Sequence, residues 1–427
     1  MKLKLFSLCV FCISFLPVQA QTSLSQYIEA AKTNSPLINE NKNLIIANQA
    51  EAERIRALYN KAQVGLSGNY LFAPILSTDN GKNRLQLNSH GADHYYGYDL
   101  SATNGGAYQG LLTVNQPLFN SKRTELLAEQ ALVNAQVNLN NIKLNAHDLE
   151  KTVTDQYIFC LLDKNQADYQ QGILKLLDQQ RFIVKKLVNS SLLKSSDFTL
   201  LNIEYENNLG LLTTYQADYH RDLMDLKILS GIKDTSTVIL DSLALNIRGN
   251  NQVSSYTDKY RLDSLNLVST QQAFETKYRP QLNAFANTGL NAVYAPTIPN
   301  RFGLSAGLSL TWSLLDGQQK QITRRKTNAL LQSVSFYKDN FQTQNSVRKA
   351  KILSELQSYD IRVKNAQQQL NEYESLINSY RKQIIQAQLS IIDFVNVLKN
   401  RSAVQRDLLL LESNRLLLIN AYNYWNW

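Results

Sequence analysis

The chain has 427 residues, with 44 Lys and Arg, 35 Asp and Glu, and a formal net charge of +9. This charge is mild for the length, and the basic residues are interspersed with acidic ones, so a nucleic-acid-binding surface is not expected. The four histidines and three cysteines form no zinc-type cluster or nucleophile motif, and no glycine-rich phosphate loop occurs. We therefore predict neither an enzyme nor a cofactor.

The N-terminus predicts a secretory signal peptide. Lysines precede an apolar run over residues 5–16, and a small-residue cleavage pattern ends at Ala20. The run is too short for a transmembrane helix, and no other stretch approaches eighteen uncharged apolar residues. We expect a signal peptide at 1–20 and a single mature protomer at 21–427.

Long helices are indicated by where proline and glycine are missing. No proline occurs between Pro117 and Pro280, and neither proline nor glycine follows Gly317. Apolar residues recur three and four apart in these stretches, which is typical of amphipathic helices. The longest would extend roughly 100 Å and would need neighbouring helices in a coiled-coil-like bundle. Helices are predicted at 24–60, 121–188, 196–230, 258–278, 317–386 and 391–424.

Four stretches without any charged residue predict β-strands. From Leu304 to Leu314, large or apolar residues alternate with Gly, Ser and Thr, and this period of two indicates one apolar face. The loop within the first strand pair, residues 73–107, is long and polar, whereas the loop within the second, 294–301, is short. Strands are predicted at Val64–Phe72, Tyr108–Leu118, Leu282–Val293 and Gly303–Leu314.

Two matches at one spacing indicate an internal duplication. "VNQPLFNSKR" from Val114 aligns with "LTWSLLDGQQ" from Leu310, and "SDFTLLNIE" from Ser196 aligns with "IDFVNVLKN" from Ile392, both 196 residues apart. An irregular link, with at most a small strand or short helix, separates the two halves. The predicted organisation is a first repeat at about 21–230 with strands within 62–118, a link at 231–257, and a second repeat at about 258–427 with strands within 281–315.

Strands of about ten residues with flanking aromatics are typical of transmembrane β-barrels. The alternative is the edge of a water-soluble sandwich. Four strands cannot close a barrel, and open edges in lipid would leave backbone groups unpaired. We therefore predict an α+β membrane protein in which three chains share a 12-stranded β-barrel and pack their helices into a hollow α-helical barrel. The lipid-facing residues on the last strand would be Leu304, Leu308, Leu310 and Trp312.

These features resemble the TolC family of outer-membrane efflux proteins. The resemblance is carried by "SLSQYIEAAKTNSPLINENKNLI", by the junctions "NQPLFN" and "TWSLLDG", and by the paired "SDFTLL" and "IDFVNVL". Ser313 and Leu315 replace the Pro and Phe of the family's W-P-L-F-D-G junction. The resemblance implies a homotrimer in the cell outer membrane with its helical barrel in the periplasm, docked to a periplasmic adaptor and an inner-membrane pump or exporter.

The resemblance also implies a periplasmic gate. Asp393 matches the first aspartate of the family's I-V-D-V-L-D stretch, Asn396 stands at the second, and Asp197 is the equivalent of Asp393 in the first half. Three symmetry copies of a carboxylate would form a negative ring around a narrow pore. Helix capping is the alternative role for Asp197 and Asp393, and both roles can coexist.

Adaptor contacts are implied near the same reversals. Relatives use a V-G-L-like turn before the aspartate, where this chain has Ser191 and Ala387 in place of glycine. Ordinary packing between helices is the alternative for the neighbouring apolar residues. The candidate contacts are Ser191, Leu192, Leu193, Ala387, Leu389 and Ile391.

The function implied is a passive exit duct of a tripartite efflux pump. A duct for type I protein secretion is the first alternative, and a periplasmic coiled-coil structural protein without a channel is the second. His90 and His94 are four residues apart, but their glycine-rich loop does not favour a metal site.

Overall fold

The computed structural model of the chain describes residues 23–87, 91–97, 106–249 and 254–427. The predicted signal peptide and His90 lie outside these residues. The helices are α1 (Leu24–Asn34), α2 (Pro36–Asn60), α3 (Ser121–Asn189), α4 (Ser195–Ser230), α5 (Thr257–Glu275), α6 (Gln319–Ile385) and α7 (Ile391–Trp425). The strands are β1 (Gln63–Phe72), β2 (Ile75–Ser77), β3 (Arg84–Gln86), β4 (Tyr95–Tyr96), β5 (Gly106–Leu118), β6 (Gln281–Ala292) and β7 (Phe302–Thr311).

The chain divides into two units, each formed from segments that are separate in sequence. Unit 1 consists of the residues up to Glu40 together with Ile142–Tyr256 and Asn340–Trp427. Unit 2 consists of Asn41–Asn141 and Thr257–Asp339, and it contains all the strands.

The main sheet of unit 2 has the order β1-β5-β6-β7, and every neighbouring pair is antiparallel. Small residues let α2 approach α3 closely in the same unit, where Ala52, Ala128 and Ala131 form a buried cluster. None of the helices in the described part of the chain is apolar over a stretch long enough to span a bilayer.

The prediction of one continuous helix at 24–60 is wrong, because the structure has two helices there, α1 and α2. Ser35 has φ −63° and ψ 120°, an extended conformation, and α2 starts at Pro36. Proline has no backbone N–H and disfavours helical geometry in the residue before it. The Ser35 hydroxyl instead accepts the backbone N–H of Ile38 at 3.4 Å.

Two other predicted boundaries also require correction. The last strand ends at Thr311 rather than Leu314, and α6 starts at Gln319 because Gly317 and Gln318 have φ values of 65° and 67°.

The long polar loop also contains regular structure. It holds a small antiparallel sheet of order β3-β2-β4, beside which the Asp79 carboxylate accepts the backbone N–H of His94 at 2.7 Å.

In unit 1, α1 packs against α3, α4 and the link. Tyr27 and Leu226 are buried in one cluster with Leu240 of the link. The described link has no helix, and it is tied to α3 where the Tyr157 hydroxyl donates to the carbonyl of Asp241 at 2.8 Å.

Three element boundaries recur at the spacing of the sequence matches. The starts of β5 and β7, the ends of α3 and α6, and the starts of α4 and α7 are each 196 residues apart. The earlier elements do not follow this spacing, because the loop before β5 is much longer than the loop before β7.

Candidate functional site

The register of the four-stranded sheet places most of the large apolar side chains of its strands on one face. Leu66 pairs with Leu112, which pairs with Thr288, which pairs with Leu304. Side chains of a strand alternate between the two faces, so this row determines which residues of each strand lie on the same face as Leu66. We call the face so defined the apolar face; its large members are Val64, Leu66, Tyr70, Phe72, Tyr108, Leu112, Val114, Leu118, Leu282, Leu290, Phe302, Leu304, Leu308 and Leu310.

The opposite face is mainly polar but carries no charge. None of β1, β5, β6 and β7 contains an Asp, Glu, Lys or Arg. Leu71, Leu111 and Phe285 are its large apolar exceptions. Its polar members are Gln63, Ser67, Asn69, Gln109, Thr113, Asn115, Gln281, Asn283, Asn287, Asn291, Ser305, Ser309 and Thr311.

The apolar face is exposed on the single chain. Leu304 is 81 % exposed and Leu308 is 67 % exposed, and the face extends to Leu66 on β1, which the sequence predictions did not single out. Covering one such side chain contributes about 1.5–3 kcal/mol. This face therefore requires an apolar environment that the described part of the chain does not supply.

Trp312 lies one residue beyond β7 and continues the apolar face toward the helices. Its indole Nε1 donates a hydrogen bond to the backbone carbonyl of Tyr278 at 3.1 Å. A tryptophan with an apolar ring and one satisfied polar atom suits a boundary between lipid and water.

The sheet is open at both edges within the described residues. β1 pairs only with β5, and β7 pairs only with β6. An edge strand presents a row of unpaired backbone N–H and C=O groups, which cannot remain unpaired in lipid. A single copy of this sheet is therefore incomplete as a membrane structure.

One glycine is essential to the pairing of β5 with β6. Gly289 has φ 147°, and a Cβ at this position would lie 2.1 Å from the carbonyl oxygen of Gly110. Gly303, which pairs with Gly289 from β7, has open space around its Cα. The first position therefore excludes a side chain and the second does not.

The two helix reversals of unit 1, residues 189–195 and 385–391, have the same backbone structure. Ser191 has φ 59°, and its N–H and that of the next residue donate to the carbonyls of Val188 and Leu187, both at 2.9 Å. Ala387 has φ 52°, and the corresponding bonds to Ile384 and Gln383 are 3.0 and 2.9 Å long. This is the Schellman ending of a helix, which is usually made by glycine.

Both reversals pack on one buried core, which we call the reversal core. Ile384 and Phe394 are fully buried in it, and Leu193 and Leu389 are packed against it. Ile391 is also 0 % exposed, so its prediction as an adaptor contact is wrong. Its side chain holds the start of α7 against the core.

A different set of residues is exposed at the reversals. Leu192 is 60 % exposed, and Ser191 is exposed beside it. The sequence predictions did not name Ile392, which is 54 % exposed at the second reversal. Ile391, Phe394 and Leu398 recur at helical spacing and all lie in the reversal core. This period separates the two isoleucines and is the signal that would have placed Ile391 inside and Ile392 outside.

The two candidate gate aspartates have different surroundings. Asp197 is half-buried, and its carboxylate accepts the backbone N–H of Lys194 at 3.1 Å, which is the capping interaction. Asp393 is exposed, as is Asn396 one turn later, and its carboxylate makes no hydrogen bond or ion pair with the described residues. Capping therefore occupies Asp197 and leaves the Asp393 carboxylate available.

A pair of neighbouring carboxyl groups, Asp163 buried and Asp222 half-buried, joins α3 to α4 in unit 1. Burial, and then the nearby carboxylate of Asp222, raise the pKa of Asp163 to about 7. Asp222 itself accepts a hydrogen bond from Arg221 at 3.0 Å. Between about pH 4 and 7, Asp163 therefore retains a proton that an exposed aspartate has lost.

Within the ranges described, no group of three or more His, Cys, Asp or Glu side chains could hold a metal ion. His94 lies in the polar loop, and its backbone rather than its ring makes the contact with Asp79.

No protein-family model matches the chain, and no curated protein matches it in sequence. Solved structures match over nearly its whole length. A structure of CusC, described in terms of folding and transmembrane channel formation, has a TM-score of 0.69 at 11% identity, covering 95% of this chain and 92% of that one.

The outer membrane protein VceC from Vibrio cholerae has a TM-score of 0.68 at 14% identity, covering 94% of this chain and 96% of that one. The open state of the MtrE outer membrane channel from Neisseria gonorrhoeae has a TM-score of 0.64 at 11% identity, covering 94% and 88%. The chain therefore has the fold of outer-membrane channels, and the resemblance predicted from the sequence is confirmed at the level of the fold.

Proposed function

We propose that the chain is the exit duct of a trimeric export system in the outer membrane. The observation that carries this proposal is an open four-stranded sheet with one exposed apolar face and no charged residue in any strand. Lipid would cover the apolar face, and the same edges of two further copies would pair with β1 and β7.

Three copies would supply twelve strands, enough to enclose an aqueous lumen lined by the polar face. The recurring boundaries at a spacing of 196 residues support two structural repeats, at about 21–230 and 258–427, joined by the link at 231–257. The helices would extend the duct into the periplasm, which agrees with a signal peptide at 1–20. The conduit is passive and performs no catalytic step.

At the reversals, the Asp393 carboxylates of three copies would form a negative ring that favours cations. Asn396 adds no charge to this ring, and Asp197 contributes mainly as a helix cap. The adaptor would contact the exposed surface of Ser191, Leu192 and Ile392, with Leu193, Ala387 and Leu389 at its margin. Energy for transport would come from the inner-membrane partner.

Asp substitutions on the two faces of β7 test this proposal. Leu308→Asp with Leu310→Asp places charges on the apolar face, and each carboxylate opposes insertion, although by less than the ~2–4 kcal/mol that a Lys or Arg costs near the bilayer centre. Ser305→Asp with Ser309→Asp is the matched control, because the same charges would lie in the aqueous lumen. We expect the wild type and the control in the outer-membrane fraction as a detergent-resistant trimer that conducts ions in planar bilayers.

The Leu308/Leu310 variant should lose the trimer and the conductance. A wild-type chain recovered as a water-soluble monomer would refute the proposal. Equal assembly of the two double variants would refute the assignment of the apolar face to lipid.

A further inference from the structure

Free positive charges lie next to the strand ends that connect to the helices. The four strands of the main sheet contain no charge, but Lys61 precedes β1, Lys122 follows β5, and Arg279 precedes β6. After β7, α6 carries Arg325 and Lys326 within its first turns. All five of these side chains are exposed.

Three of the acidic residues in this region are already paired with other cations. Glu275 accepts two bonds of 2.7 Å from Arg324, and Asp316 lies 3.8 Å from Lys277. Arg56 similarly lies 3.4 Å from a carboxylate, that of Glu125. By contrast, Lys61, Lys122 and Arg279 make no ion pair with any residue that the structure describes.

Two of these free cations line one cavity of about 460 Å³ in unit 2. Lys122 and Arg279 are joined there by Lys320, and the acids of the lining are Glu129 and Glu275. Because Arg324 already neutralises Glu275, the cavity keeps an excess of positive charge. We call it the rim cavity.

Apolar side chains lie beside this charge. Phe119 is 92 % exposed and Leu315 is 96 % exposed, each in the connection between a strand and a long helix. Tyr278 lines the rim cavity and accepts the indole N–H of Trp312, which continues the apolar face. Apolar, aromatic and basic residues in this order match the acyl chain, interface and headgroup levels of a lipid leaflet.

We propose that the rim cavity binds the headgroup phosphate of an anionic membrane phospholipid whose acyl chains lie on the apolar face. Lys122 and Arg279 hold the phosphate, while Glu129 weakens the binding. The inference rests on the proposed function, because only an inserted barrel brings these residues to the headgroups of the periplasmic leaflet. Each basic residue near a membrane surface strengthens anionic lipid binding about fivefold.

The test uses the full mature chain in nanodiscs of phosphatidylethanolamine with a minority of phosphatidylglycerol. Native mass spectrometry after transfer to detergent measures the phosphatidylglycerol retained per trimer. The variant is Lys122→Gln with Arg279→Gln, and the control removes two free, exposed cations of α6 by Lys338→Gln with Lys364→Gln. Glu129→Gln changes the cavity charge in the opposite direction.

We expect the Lys122/Arg279 variant to retain at least fivefold less phosphatidylglycerol, the control to match the wild type, and Glu129→Gln to retain more. Inorganic phosphate added at the same concentration should not displace the lipid, because it has no acyl chains to bind the apolar face. Equal retention by the wild type and the Lys122/Arg279 variant, or displacement of the lipid by free phosphate, would overturn the inference.

Trimer mass and conductance are measured on the same samples and report on the duct itself. A conducting trimer without selective lipid retention overturns this inference alone. A chain that neither inserts nor forms a trimer overturns it together with the proposed function.

Discussion

Replacing Ala387 by glycine should stabilise the second helix reversal, although it removes a methyl group. Ala387 has φ 52°, in the left-handed region, where an L-residue with a side chain is disfavoured by about 1–2 kcal/mol. Glycine avoids this strain but loses about 0.5–1 kcal/mol more conformational entropy on folding. The net expected gain is about 0.5–1 kcal/mol.

Hydrogen exchange measures this gain locally. The amides of Ala387 and Gln388 donate to the carbonyls of Ile384 and Gln383, so their exchange rates report the opening of the reversal. A gain of 1 kcal/mol slows exchange about fivefold. Ala403→Gly, inside α7, is the matched control and should speed local exchange, because glycine weakens a helix by about 1 kcal/mol. Exchange that is unchanged or faster in Ala387→Gly would refute the reasoning.

Three further results are expected. Gly289→Ala should abolish trimer assembly on denaturing gels whereas Gly303→Ala should assemble normally, because only the first Cβ meets the backbone of β5; equal assembly would contradict this pairing. Ile391→Ala should lower the free energy of unfolding by about 2–5 kcal/mol, whereas Leu192→Ala should change it by under about 0.5 kcal/mol and instead weaken adaptor binding in a pull-down. Between about pH 4 and 7 only the folded chain retains the Asp163 proton, so the wild type should lose up to about 4 kcal/mol of its free energy of unfolding as the pH rises through this range. Asp163→Asn should remove this loss. Parallel profiles of stability against pH for the two proteins would rule this out.

The sequence was most informative where backbone geometry leaves few choices. Alternation from Leu304 onward could only place its large residues on one face, and the observed register extends that face to all four strands. Ser191 and Ala387, which the family resemblance indicated as equivalent turn positions, are 196 residues apart and both adopt the left-handed conformation.

The sequence held more information at the second reversal than the predictions used. Ile391, Phe394 and Leu398 recur at helical spacing and lie in the reversal core, whereas Ile392 is out of phase with them and exposed. The strands β2 and β4 have three and two residues, too few for any period to be recognised. The break at Ser35 could have been predicted, since Pro36 restricts the residue before it.

The exposed apolar face and the absence of charge from the opposite face are most informative together. A water-soluble sheet with one buried face normally places Lys, Glu or other strongly hydrated residues on its solvent face, but the strands here have none. Charge appears instead in the connections and the helices that flank them, with Lys122 and Arg279 close to the strand ends. Ordinary solubility does not explain an uncharged band with a basic margin, whereas a sheet that meets lipid on one face and a shared aqueous lumen on the other requires both features.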